Sequence, residues 1–97
     1  MSRWLVEKRL SQASERLKQL RADLKVADEQ LLFLTEAADE ARLRALVSET
    51  PLADQEHREA QKHAEAMTRH RAQVASSISE LEKTQDELLD RLVEEAR

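Results

Sequence analysis

The chain has 97 residues, 37% of them charged and only 2% aromatic, with a net charge of -4 and a mean hydropathy of -0.72. That length bounds it to one domain, and that composition excludes a thick globular core. Glycine and cysteine are absent and proline occurs once; there are few ways to make tight turns or phosphate-cradling loops, which argues against any α/β or all-β reading, and disulfides and thiolate chemistry are excluded.

The N-terminal stretch Met1 to Leu10 carries Arg3, Glu7, Lys8 and Arg9. It lacks the apolar core of a signal peptide. No segment approaches the roughly 20 apolar residues of a membrane span. A cytoplasmic protein is expected. Arginine outnumbers lysine and alanine is abundant, a pattern associated with GC-rich bacterial genomes.

From Val6 onward, apolar residues recur in steps of three and four: Leu10, Ala13, Leu17, Leu20, Leu24, Ala27, Leu31, Leu34, Ala38, Ala41 and Ala45. The mean step, about 3.5 residues, is the period at which two helices keep one seam together. A first helix is predicted over about 3–48.

Ser48-Glu49-Thr50-Pro51 is the only interruption. Thr50 precedes a proline and is biased away from helical geometry, which ends the first helix. Its hydroxyl can cap a second helix, with Pro51 at the first helical position, where its missing N–H costs nothing. Asp54 and Glu56 follow, suited to the positive end of the helix dipole.

The second helix, predicted over about 51–96, carries a matching ladder: Ala53, His57, Ala60, Ala64, Met67, Arg71, Val74, Ile78, Leu81, Gln85, Leu88 and Leu92. Folding back about the turn at 49–50 brings rung to rung. Leu10 then meets Leu88, Leu17 meets Leu81, Leu20 meets Ile78, Leu24 meets Val74 and Leu31 meets Met67. The polar rungs meet small residues: Gln85 faces Ala13, Arg71 faces Ala27 and His57 faces Ala41. Arg3 is expected opposite Glu95, Arg44 near Glu56 and Arg42 near Asp54. The expected fold is all-α: an antiparallel two-helix coiled-coil hairpin spanning 1–97 as a single unit.

Charge supports this reading. Residues 1–25 hold seven basic and three acidic side chains, a balance of +4, whereas residues 26–50 and 76–97 each balance at -4. Folding back places the basic first quarter beside the acidic last quarter.

Eleven apolar residues fall off the seam: Trp4, Leu5, Val26, Leu32, Phe33, Leu43, Leu46, Val47, Leu52, Leu89 and Val93. They include the only Trp and the only Phe. Contiguous apolar surface marks an interaction site. A lone hairpin also has little core, so pairing of two hairpins into a four-helix bundle is expected to cover these residues. A homodimeric, non-enzymatic interaction or structural module is the leading reading.

Two alternatives rest on charge. One is a monomeric hairpin that docks onto a larger machine, such as RNA polymerase, through its tip or its outer apolar face. Glu36, Asp39, Glu40, Glu49, Asp54, Glu56 and Glu59 gather toward the turn. An antiparallel coiled coil with an acidic tip resembles the N-terminal hairpin of bacterial transcript-cleavage factors of the Gre type, a resemblance that implies insertion into a polymerase channel. This chain lacks their second, globular domain and shows no matching tip motif. The other alternative is a nucleic-acid accessory factor using Arg3, Lys8, Arg9, Arg16, Lys18, Arg21 and Lys25. Glu7, Glu15 and Asp23 interrupt that stripe, and stacking aromatics are missing apart from Trp4, so nucleic acid is not the expected partner.

No catalytic or cofactor motif is present: no nucleophile elbow, P-loop or dinucleotide fingerprint. His63 and His70 are seven apart, too far to share an ion, and no Glu-x-x-His occurs. Asp54/His57 and Glu59/His63 have chelating spacings but read as ordinary surface pairs. No metal and no cofactor are expected. The segment from Arg44 to His57 resembles short coiled-coil hairpin proteins of actinobacterial type, which implies the hairpin fold and no activity.

Overall fold

The computed structural model describes residues 1–96; Arg97, the last residue of the expected 1–97 hairpin, lies outside the described residues. Two helices, α1 (Arg3–Ser48) and α2 (Pro51–Glu95), account for nearly all of it, in an all-α two-helix hairpin. No strand occurs among the described residues. The second helix ends at Glu95, just short of the expected 96. There the Ala96 N–H is shared between the Leu92 and Val93 carbonyls, both at 3.2 Å, the forked bond usual at a fraying end.

Each helix start is capped by a hydroxyl. Ser2 Oγ accepts the Leu5 N–H at 3.2 Å and Thr50 Oγ1 accepts the Ala53 N–H at 3.2 Å. Each satisfies one orphan donor of a first turn. Between the helices, Glu49 sits in the left-handed region at φ 52° and donates its N–H to the Ala45 carbonyl at 3.1 Å. That is the left-handed cap normally made by glycine. A residue with a Cβ bears a cost of about 1–2 kcal/mol there.

Every rung of both ladders is buried or half-buried. Outside the ladders, only Leu5, Asp23, Ala37 and Ala75 are less than exposed among the described residues. Packing divides the chain into two compact units, one of residues 1–24 with the stretch from Val74 onward, the other Lys25–Gln73.

The first unit holds the apolar bulk. Leu17, Leu20, Val74 and Ile78 form its core, with Leu24 and Leu81 packed against them. These are the layers the register predicts. Leu17 is 1% exposed and Val6 fully buried. Gln85 donates through Nε2 to Ser14 Oγ at 3.2 Å, so the polar rung reaches past Ala13 to the next residue.

The second unit is seamed by alanine. Its buried residues are Ala27, Ala41, Ala45 and Ala53, with Ala38, Ala60, Ala64, Leu31, Leu34 and Met67 half-buried. Arg71 pairs with the Asp28 carboxylate, again one residue past the alanine opposite it.

The expected surface pairs do not form. Arg3 bonds Glu7 within its own helix at 3.2 Å rather than Glu95. Neither Arg42 with Asp54 nor Arg44 with Glu56 is among the ion pairs of the described residues. Exposed pairs contribute about 0–1 kcal/mol, too little to hold two long side chains in one geometry.

Adjacent turn residues should respond in opposite directions. Glu49→Gly removes the left-handed penalty and should raise the unfolding free energy by about 1 kcal/mol. Thr50→Ala deletes the cap and should lower it by about 1 kcal/mol. Urea unfolding followed by circular dichroism reads both. Leu17→Ala should cost about 2–5 kcal/mol in the same assay.

Candidate interaction surface

A helix in a two-stranded seam buries a narrow stripe and exposes the remainder. α2 obeys this rule across most of its length. α1 does not, because its outward positions also carry large apolar residues.

Ten of the eleven residues expected off the seam are exposed: Trp4, Val26, Leu32, Phe33, Leu43, Leu46, Val47, Leu52, Leu89 and Val93. The exception is Leu5, which is half-buried. Met1 joins the exposed set and was not anticipated; a chain-terminal methionine carries no periodic signal.

In the first unit the exposed apolar residues are Met1 and Trp4 on one side of the sequence and Leu89 and Val93 on the other. Trp4 is 67% exposed, and the Lys8 ammonium lies 5.1 Å from its ring centroid. One turn along the helix, that spacing suits a cation–π contact. Arg9, Arg16, Lys18 and Arg21 stand exposed on the same helix. Gln19 and Asp23 bond to each other at 3.0 Å.

In the second unit the apolar surface belongs almost entirely to α1. Val26, Leu32, Phe33, Leu43, Leu46 and Val47 are all exposed there, Phe33 by 72% and Val47 by 85%. Leu52, on the first turn of α2, is the one addition from the other helix. Beyond it, α2 of this unit exposes polar, charged or small residues, including His63 and His70. Acidic side chains interleave the apolar ones on α1: Glu29, Glu36, Asp39 and Glu40 are exposed between Val26 and Leu43. Beside Phe33 lies a shallow depression of about 390 Å³ lined by Glu29, Gln30, Phe33 and Leu34. Apolar ground with acidic edges suits an apolar partner face carrying basic residues.

No group of three or more His, Cys, Asp or Glu side chains is arranged to hold a metal ion among the described residues. The chelating spacings Asp54/His57 and Glu59/His63 are thus not joined by a further ligand. No described helix is long and apolar enough to cross a membrane. Comparison with protein-family models, with curated proteins and with solved structures finds no match to this chain.

Trp4 offers a direct reading of this surface. In dilute protein its fluorescence should be red-shifted and freely quenched by acrylamide, as its exposure requires. A blue-shifted, protected emission at the lowest workable concentration would contradict the exposed placement.

Proposed function

We propose that the chain is a non-enzymatic protein–protein interaction or structural module that self-associates through its outward apolar residues. The observation that carries this is the exposure of Leu32, Phe33, Leu43, Leu46 and Val47 on one helix of a unit whose own seam is largely alanine. Monomeric proteins rarely expose large contiguous apolar patches. A second hairpin covering the patch makes a four-helix arrangement, in which the apolar side chains of both faces become core.

Magnitudes are compatible with a homodimer. Fully burying an aliphatic or Phe side chain is worth about 1.5–3 kcal/mol. Five such residues on each of two copies give a gross gain of about 15–30 kcal/mol, which exceeds the association cost of about 4–15 kcal/mol.

A second reading is favoured by the turn, where Leu46, Val47 and Leu52 stand exposed close to the acidic Glu49, Asp54 and Glu56. A hairpin that docks by its tip onto a larger assembly would use this end. Self-association ranks first because Phe33, Leu32 and Val26 lie several turns from the tip and need covering as well.

Light scattering after size exclusion across a concentration series tests the proposal. The expected result is a mass that rises from monomer to dimer with concentration. Phe33→Asp and Leu46→Asp should each weaken the dimer by about 10–100-fold while leaving helicity intact, since each places a charge in an apolar contact. A dimer indifferent to both substitutions would remove this face from the interaction.

A further inference from the structure

Within the second unit, the large apolar residues exposed from Leu32 to Val47 on α1 fall into two clusters. Leu32 and Phe33 make the first, and Leu43, Leu46 and Val47 the second. Between them along the helix stand Glu36, Asp39 and Glu40, all exposed. At about 100° per residue, all these positions fall within one arc of about 140°, along about 20 Å of helix. The acids therefore lie on the apolar face itself.

No ion pair or side-chain hydrogen bond among the described residues engages Glu36, Asp39 or Glu40. Arg42 is one turn from Asp39 and Arg44 one turn from Glu40, but neither arginine is in an ion pair among the described residues. The same helical arithmetic puts the two arginines at opposite rims of the arc.

A second copy that covers this face meets the acids whatever its direction. Antiparallel first helices that bury both clusters set Leu32 and Phe33 against Leu43, Leu46 and Val47, and the segment between the clusters falls on its own counterpart. Parallel helices set each cluster on itself, with the same result. A register that avoids the acids buries one cluster and leaves the other in water. Covering the whole face thus brings the carboxylates of Glu36, Asp39 and Glu40 from both chains together. Like charges across an interface are strongly disfavoured, and burying them unpaired adds the cost of desolvation.

We propose that Glu36, Asp39 and Glu40 act as a charge brake on self-association, so that the homodimer tightens when these carboxylates are screened or neutralised. This rests on the self-association proposed above and adds its regulation. The apolar clusters supply the affinity and the acids between them hold it down. Ionic strength then sets how much of the protein is dimeric. The sign is opposite to that of an interface held by unlike charges, which salt loosens.

Light scattering over a concentration series, at low and at high chloride, measures the effect. Raising chloride from about 0.01 M to about 1 M shortens the screening length from about 30 Å to about 3 Å and should lower the dissociation constant about tenfold. Glu36→Gln, Asp39→Asn and Glu40→Gln, made together, replace exposed residues with neutral ones of the same shape. Helicity should persist, which circular dichroism checks. At low chloride this triple variant should associate about tenfold more tightly than the unmodified chain, and salt should change it little. A control triple, Glu56→Gln, Glu59→Gln and Glu65→Gln, makes the same change in net charge at exposed positions of α2. It should leave the dissociation constant near its original value. A dimer that salt loosens, or that the first triple leaves unchanged, would overturn the brake and leave self-association standing. So would a control triple that tightens the dimer as much as the first. A chain that stays monomeric at every concentration and salt, with the first triple variant monomeric too, would overturn both proposals.

Discussion

The unequal placement of apolar bulk is the constraint from which the other features of this chain follow. Where Leu17, Leu20, Val74 and Ile78 meet, leucine-sized side chains fill the seam and the surface is left to charge. Between Lys25 and Gln73 the seam is built on Ala27, Ala41, Ala45 and Ala53, and the large residues of α1 point outward instead. Alanine removes little apolar area from water, so this unit draws less stabilisation from its own core. Leu32, Phe33, Leu43 and Leu46 are on the wrong face for a solitary hairpin. A partner is the means by which that face could contribute to stability.

The polar rungs serve a different end. Arg71, Gln85 and His57 occupy seam positions that leucine would fill with greater stability. A polar residue in a coiled-coil seam fixes register at some cost in stability. Here Arg71 finds Asp28 and Gln85 finds Ser14, each one residue past the alanine it faces. A slip of one heptad would leave both without these partners. The ladders alone repeat too regularly to forbid such a slip, so the few side-chain contacts between helices contribute specificity beyond their modest energies.

Much of this architecture is legible in the residues themselves, because a period of 3.5 sustained over two 12-rung ladders leaves one economical fold. The pairing of Leu20 with Ile78 and of Leu24 with Val74 follows from the turn position and the ladders together. The surface charges are not legible in the same way. Arg3 takes Glu7 over Glu95, and Arg42 and Arg44 pair with neither Asp54 nor Glu56, because weak interactions are decided by local rotamers that a pattern does not encode. Ser2 as a cap and Glu49 as a left-handed residue were equally hidden. A serine before an ordinary helical sequence is a common event, and a glutamate in the left-handed region is an exception that only the geometry of the loop imposes. For the surface, periodicity marked which apolar residues face out. Leu5 was the exception, half-buried although it lies off the ladder.

The strained turn and the outward face point the same way. A chain without glycine makes its reversal in two residues and accepts Glu49 in an unfavourable conformation. It keeps Leu46, Val47 and Leu52 exposed immediately around that reversal. Neither choice favours the stability of an isolated hairpin. Strain of this kind persists only where the surrounding structure over-determines it. The small side chains of the alanine seam in the second unit supply limited determination, and apolar contacts made from outside would add to it. If a second copy covers the face of residues 26–47, association and turn geometry become coupled: packing at Leu46 and Val47 would hold the last turn of α1, and with it the cap that Glu49 makes to Ala45.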